Sequence, residues 1–191
     1  VVLPETFSTG FSMNVSQLAE TNNEATIQFL QNQSKKLDFA IYGSFVAQEN
    51  SKIYNRGFFI TPEGGNYFYD KRHLFRMAGE HNIYTAGNDR LTISYKGWNI
   101  RLAICYDLRF PVWLRNIENE YDLLIITSNW PKARNKVWEV LLKARAIENQ
   151  CYVCGVNRVG EDGNGIPHCG NSLLIDYKGE VIEQMESDQA Y

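Results

Sequence analysis

A mixed α/β layer protein is the fold class this sequence predicts, and three observations predict it. Strand-like and helix-like segments alternate along the chain, hairpin signals are interspersed among them, and one long segment repeats apolar residues at helical spacing. The 191 residues are 44% hydrophobic and include 4 Trp, 11 Tyr and 10 Phe, enough to bury a core, which argues against disorder. No internal repeat, low-complexity tract or Pro/Ser-rich linker interrupts residues 1–191, so the chain reads as a single domain.

Taken in order, Val1-Val2-Leu3 reads as a short buried strand that begins at the first residue. Glu24 to Lys36 permits a helix, and Leu37 to Val46 follows as a β-rich run. Lys52 to Ile60 is a strand, and the turn Thr61-Pro62-Glu63-Gly64-Gly65 leads into a second strand at Asn66 to Tyr69, which makes a hairpin. Trp98 to Ile104 is another strand, ending at Cys105, and Pro111 stands where a helix over 112–119 could begin. Asp122 to Thr127 is nearly continuous apolar sequence, the pattern of a strand buried on both faces. From Ala133 to Asn149 the spacing of Val137, Val140, Leu141, Ala144 and Ile147 predicts a helix with that stripe toward the core, leaving Lys136, Glu139, Lys143 and Glu148 mostly elsewhere. Strand Cys151 to Asn157 follows, then a hairpin in which Ser172 to Asp176 and Glu180 to Ile182 flank Tyr177-Lys178-Gly179. The sequence stops at Gln184 to Tyr191 without a closing element, which raises the expectation of a fragment.

With 19 basic against 22 acidic side chains the formal charge is −3, and there is no basic run, so nucleic-acid and membrane-surface partners are not expected. The longest apolar run, Leu123-Leu124-Ile125-Ile126, falls far short of the roughly 20 residues of a bilayer span, and Val1 to Glu5 lacks the basic start and apolar centre of a secretory signal. A cytoplasmic protein is expected. Cys105, Cys151, Cys154 and Cys169 lie in apolar or strand-like contexts that suit reduced thiols. The Cys151-x-x-Cys154 pair has no second pair or His cluster to complete a zinc site, and it follows a helix where a redox motif would open one, so no metal is expected.

Glu5, Lys71 and Cys105 each stand at the end of a predicted strand, where functional groups collect. Cys105 would project from a sharp exit followed by Tyr106-Asp107-Leu108-Arg109-Phe110-Pro111, a placement suited to a nucleophile that Glu5 or Lys71 could activate; a buried structural thiol is the competing reading. His73, His81 and His168 are the alternative partners for such a cysteine, and spacing does not eliminate them.

Three segments then form a set. Leu3-Pro4-Glu5-Thr6-Phe7-Ser8-Thr9-Gly10, Tyr69-Asp70-Lys71-Arg72-His73-Leu74-Phe75 and Ile104-Cys105-Tyr106-Asp107-Leu108-Arg109-Phe110-Pro111 resemble the glutamate, lysine and cysteine signatures of the nitrilase, or carbon–nitrogen hydrolase, superfamily. They occur in the family's order, and Ser128-Asn129-Trp130-Pro131 and Lys143-Ala144-Arg145-Ala146-Ile147-Glu148-Asn149 match as well, with the greatest similarity to its omega-amidase branch.

The resemblance implies a four-layer α-β-β-α sandwich, here apparently without its first βα unit and its C-terminal strands, together with no cofactor and a homodimer or higher homo-oligomer. It also implies a Glu5, Lys71 and Cys105 triad for hydrolysing the terminal amide of a 2-oxo dicarboxylate monoamide resembling 2-oxoglutaramate, through a cysteine thioester. Glu80 occupies the place of an assisting carboxylate, and the backbone N–H of Tyr106 that of an oxyanion donor. Arg109 is near enough to the nucleophile to clamp a distal carboxylate, or else to pair with Asp107. Trp130 and Phe11 could wall the pocket or belong to the core, whereas Glu63 is read as a surface carboxylate. A nitrile, N-carbamoyl or short aliphatic amide substrate is the alternative within the family; a non-catalytic oligomerising fragment is the alternative outside catalysis.

Overall fold

Two larger sheets, of three and six strands, organise the computed structural model, which describes residues 1–22 and 24–185. They belong to separate units of the chain, Val1–Asp89 and Arg90–Tyr191.

In the first unit, α1 (Ala25–Leu37) precedes three antiparallel strands, β1 (Ile41–Glu49), β2 (Lys52–Ile60) and β3 (Asn66–Asp70). Ile27 and Leu30 on α1 pack against Ile41, Phe45, Ala47, Phe58 and Ile60 to form this unit's core. The Glu20 carboxylate accepts hydrogen bonds from the Thr26 backbone N–H and hydroxyl, placing negative charge at the positive end of the helix. Lys35, Lys36 and Leu37 favour helix, so α1 ends only at Asp38, in the left-handed region at φ 53°, and β1 begins at Ile41, four residues later than the sequence suggested. The strand expected at Val1-Val2-Leu3 shrinks to one parallel bridge between Val2 and Tyr42, and Val1 is exposed. Gly43 is required where β1 passes under Phe58, since a Cβ there would lie 2.8 Å from that ring.

The second unit contains β4 (Thr92–Tyr95), β5 (Trp98–Ile104), β6 (Leu123–Ser128), α2 (Asn135–Asn149), β7 (Tyr152–Asn157), β8 (Val159–Glu161), β9 (Pro167–Cys169), β10 (Ser172–Ile175) and β11 (Val181–Met185). Its six-stranded sheet runs β11-β10-β7-β6-β5-β4, with β5, β6 and β7 parallel and the other neighbours antiparallel; β8 and β9 pair separately. β6 is buried over five of its six residues, as its continuous apolar sequence predicts.

Two expectations are corrected here. The stripe Val137, Val140, Leu141, Ala144, Ile147 is only in part the core face of α2: Leu141 packs against the core, but Val140 and Ile147 are 59% and 55% exposed, and the buried face is carried by Trp138, Leu142 and Ala146, in one cluster with Leu124, Ile126, Val153, Leu173 and Ile175. The reason lies on β7, where Gly155 leaves room for the helix; a Cβ there would lie 2.6 Å from Leu142 and 2.8 Å from Trp138. The helix expected over 112–119 is absent too, since these residues form turns and irregular chain. Glu118 and Asn119 take left-handed φ values of 54° and 57°, and Asn116 accepts from Tyr121 N while donating to the Tyr121 and Asn149 carbonyls, which fixes a loop instead. Of the end segment Gln184 to Tyr191, residues 186–191 lie outside the described residues. Among the described residues no helix is long and apolar enough to cross a membrane.

Candidate active site

Glu5, Lys71 and Glu80 meet inside the first unit, all three side chains essentially buried. The backbone dictates the meeting. Leu3 N–H donates to Tyr42 O at 2.7 Å and Phe7 N–H to Ser44 O at 3.1 Å, tying the segment of Glu5 along β1; the Ser44 hydroxyl accepts from Thr6 N–H at 2.8 Å. Lys71, the residue after β3, donates its N–H to Asn55 O, and its own carbonyl accepts from Gly87 N–H, each at 3.0 Å. Only glycine fits at position 87, because a Cβ would sit 2.2 Å from Asp70 O. Glu80 opens a short 3-10 turn behind Gly79, whose φ of 75° reverses the chain.

Lys71 Nζ donates to Glu5 Oε1 at 2.8 Å and to both oxygens of Glu80 at 3.0 Å. Asn55 Nδ2 donates to Glu5 Oε1 at 2.8 Å and to Glu80 Oε1 at 3.4 Å, and Phe75 N–H donates a short hydrogen bond to Glu80 Oε2. The ammonium lies 5.4 Å from the centroid of the Phe11 ring. Two carboxylates sharing one ammonium away from water cannot both be costlessly ionised: burial pushes the Glu80 carboxyl up, the neighbouring Glu5 charge adds to this, and Lys71 opposes it. Burial and the two carboxylates likewise raise the Tyr84 phenol, which donates to Ser12 O at 2.7 Å. A buried carboxyl beside a fixed cation can accept and return protons, and the cation can stabilise a developing oxyanion.

Cys105, Tyr106, Arg109 and Trp130 belong to the second unit. Cys105 leaves β5 directly into a 3-10 turn, Cys105–Arg109, with its own φ at +43°. That conformation is strained for a residue with a Cβ. The turn is held at both ends: Asp107 Oδ2 accepts from Ile104 N–H at 3.0 Å, and Leu108 O accepts from Arg145 Nε and Nη2 at 3.1 and 2.8 Å. The Arg109 guanidinium carbon stands 5.0 Å from the Trp130 ring centroid and 5.8 Å from that of Tyr106, and among the described residues it forms no ion pair. Trp130 is buried in the core cluster; its indole donates to Arg134 O at 2.9 Å, and its backbone N–H donates to Asn157 Oδ1 at 2.7 Å.

The remaining cysteines differ. Burial pushes the Cys151 thiol up to about 12 and the Cys154 thiol up to about 11, so neither is a thiolate near neutrality. His168 is buried and pushed down in pKa by burial, which keeps it neutral, and Glu63 is exposed in its turn.

The sequence profile of the carbon–nitrogen hydrolase family matches residues 1–190. This chain belongs to the carbon–nitrogen hydrolase family. It is a hydrolase acting on non-peptide carbon–nitrogen bonds, with the α/β fold of that superfamily. It is 49% identical over 190 residues to the omega-amidase YafV of Yersinia enterocolitica, covering 100% of this chain and 73% of that protein. To the 2-oxoglutaramate amidase of Bacillus subtilis it is 35% identical over 188 residues, covering 96% and 72%. Among solved structures it is similar to XC1258 of Xanthomonas campestris, a CN-hydrolase superfamily protein with an arsenic adduct in its active site, at a TM-score of 0.95 and 43% identity over 98% of this chain and 73% of that one.

Two further residues attach to these sites without having been singled out from sequence. Asn55 lies inside the strand-forming run Lys52 to Ile60, where asparagine is disfavoured, and that mismatch was its only signal. Arg145 lay within a matched motif, yet only the fold shows which carbonyl it holds.

Proposed function

We propose that this chain hydrolyses the terminal amide of a small 2-oxo dicarboxylate monoamide, of which 2-oxoglutaramate is the type, releasing ammonia. The observation that carries the reading is the buried Glu5–Lys71–Glu80 cluster, which brings two carboxylates against one ammonium away from water. The omega-amidase and 2-oxoglutaramate amidase relatives support the substrate class.

In this reading Glu5 takes the proton of the Cys105 thiol as Sγ bonds to the amide carbon. Lys71 and the Tyr106 backbone N–H stabilise the oxyanion, a contribution for which one lost donor typically costs about 10²–10³ in turnover. Glu5 returns its proton to the departing nitrogen as the C–N bond breaks, leaving a thioester and ammonia. Water then attacks, Glu5 accepts its proton, and the acid and the free thiol are restored. Glu80 orients Lys71 and meets the leaving ammonia. Arg109, whose guanidinium carbon lies 5.0 Å from the Trp130 ring centroid, clamps the distal carboxylate, and Phe11 and Trp130 are assigned to the substrate wall.

A homodimer belongs to the same proposal, supported by the exposed Val137, Val140 and Ile147 face of α2. So does cytoplasmic residence, supported by four free thiols. The test is ammonia release from 2-oxoglutaramate by the chain and its Cys105→Ala variant, with circular dichroism showing both folded. Release by the first and none by the second is expected. A folded wild-type chain that releases nothing from this substrate, but does so from a nitrile or N-carbamoyl compound, overturns the substrate assignment.

A further inference from the structure

Asn55 occupies the middle of β2, fully buried, at a position where a strand would ordinarily carry a β-branched or aromatic side chain. Its amide nitrogen gives one hydrogen bond to Glu5 Oε1 and a longer one to Glu80 Oε1. Its backbone carbonyl accepts the Lys71 N–H. One residue therefore touches every charged member of the cluster. Its Oδ1 has no hydrogen-bond partner among the described residues, so the acceptor half of the amide is buried at a loss and the donor half must justify the residue. The amide nitrogen is the end that faces both carboxyl groups, as an –NH₂ with two N–H donors can.

We propose that Asn55 is a positioning residue for the Glu5 general base: it is a neutral donor that holds Glu5 and Glu80 in separate orientations around one lysine and favours their ionised forms. This rests on the amidase reading above for the role of Glu5, but the hydrogen bonding does not. Both carboxylates share the Lys71 ammonium. An amide donor stabilises the charged form in the same direction as a second cation would, but by less, so the base keeps more of its strength. The groups facing Asn55 are Glu5, Lys71 and Glu80, with the Tyr84 phenol beyond the carboxylates. Arg56, the next residue of β2, is engaged with Asp70 and Glu49 instead.

The test compares the wild-type chain with Asn55→Ala and with the isosteric Asn55→Asp. Two readouts are taken: carboxyl ¹³C NMR titration of glutamate-labelled protein, and the pH dependence of kcat and KM for 2-oxoglutaramate. The expected result is an upward displacement of a cluster carboxyl titration, and of the acid limb of kcat/KM, by about one pH unit in Asn55→Ala and by more in Asn55→Asp, which adds a third negative charge. At neutral pH kcat falls about tenfold or more while KM changes less than about threefold, since Asn55 is not placed on the substrate. A merely structural residue would lower thermal stability and leave both titrations where they were, and superimposable titrations overturn the proposal. If either variant fails to fold, Asn55→Ser, whose hydroxyl is too short to reach both carboxylates, is titrated instead and must move in the same direction. If the wild-type chain does not hydrolyse this substrate, the amidase reading falls, and the NMR titration still decides whether Asn55 tunes the carboxylates.

Discussion

The first unit fixes its candidate groups by charge, and the second fixes its candidate nucleophile by backbone. Around Lys71, position is set by ion pairs at 2.8 and 3.0 Å between side chains that come from three different loops or strand ends. Around Cys105, it is set by a left-handed φ of +43° in a turn whose Asp107 reaches back to Ile104 N–H and whose Leu108 carbonyl is held by Arg145. Charges can be held apart from regular structure because Coulomb attraction strengthens as water is excluded. At Cys105 the main chain sets the direction in which the side chain leaves the strand. The price of the first arrangement is desolvation, and that of the second is conformational strain.

The comparison can be broken hardest at Lys71. Lys71→Met leaves two carboxylates buried without their cation, and the expected loss is about 3–5 kcal/mol in urea-induced unfolding, with the double variant Lys71→Met, Glu80→Gln recovering part of it. An unchanged midpoint would mean that the cluster is not dry. Next in size is Arg145→Ala, which strips two N–H donors from the buried Leu108 carbonyl; about 2–3 kcal/mol should be lost, with turnover falling because the Cys105 turn loosens. Activity that survives at full strength would show that the turn needs no clamp.

The strain itself predicts a smaller effect of opposite sign. Cys105→Gly should be more stable than Cys105→Ala by about 1 kcal/mol, because only glycine adopts a positive φ without a Cβ penalty, and equal stability would remove the claim of strain. The pH dependence is the finest discriminator. Burial raises the folded-state Glu80 carboxyl above its ordinary 4.5, so the native state binds this proton more tightly than the unfolded chain does. The resulting stability is fully present below about pH 4.5 and is lost as pH climbs through the native value. Thermal midpoints of the wild type should therefore decline relative to those of Glu80→Gln as pH rises from 4.5, and parallel curves would contradict the shift.

Much of this was legible beforehand, and unevenly. β2 and β5 run over the same residues that their β-branched and aromatic composition indicates, because a strand between turn signals leaves little freedom in its ends. Glu5, Lys71, Glu80 and Cys105 were legible as motif residues. Which of them are assembled was not, since the 66 residues between Glu5 and Lys71 carry no local signal of the contact. The helix read over 112–119 failed because Pro111 permits a helix start without requiring one, and the hydrogen bonds of Asn116 to Tyr121 and Asn149 outcompeted it.

The sequence by itself determined the alternation of strands and helices, the family, and the identity of the residues with chemistry to offer. The tertiary structure alone decided which stripe of α2 is buried, that Asn55 bridges two carboxylates, and that Arg145 grips the turn of Cys105. The physical reason is the same in each case. Periodicity and propensity are properties of neighbouring residues, whereas the choice of a face, a bridge or a clamp depends on the surface brought against it, such as the hollow at Gly155 that admits Trp138 and Leu142 in preference to Val140 and Ile147.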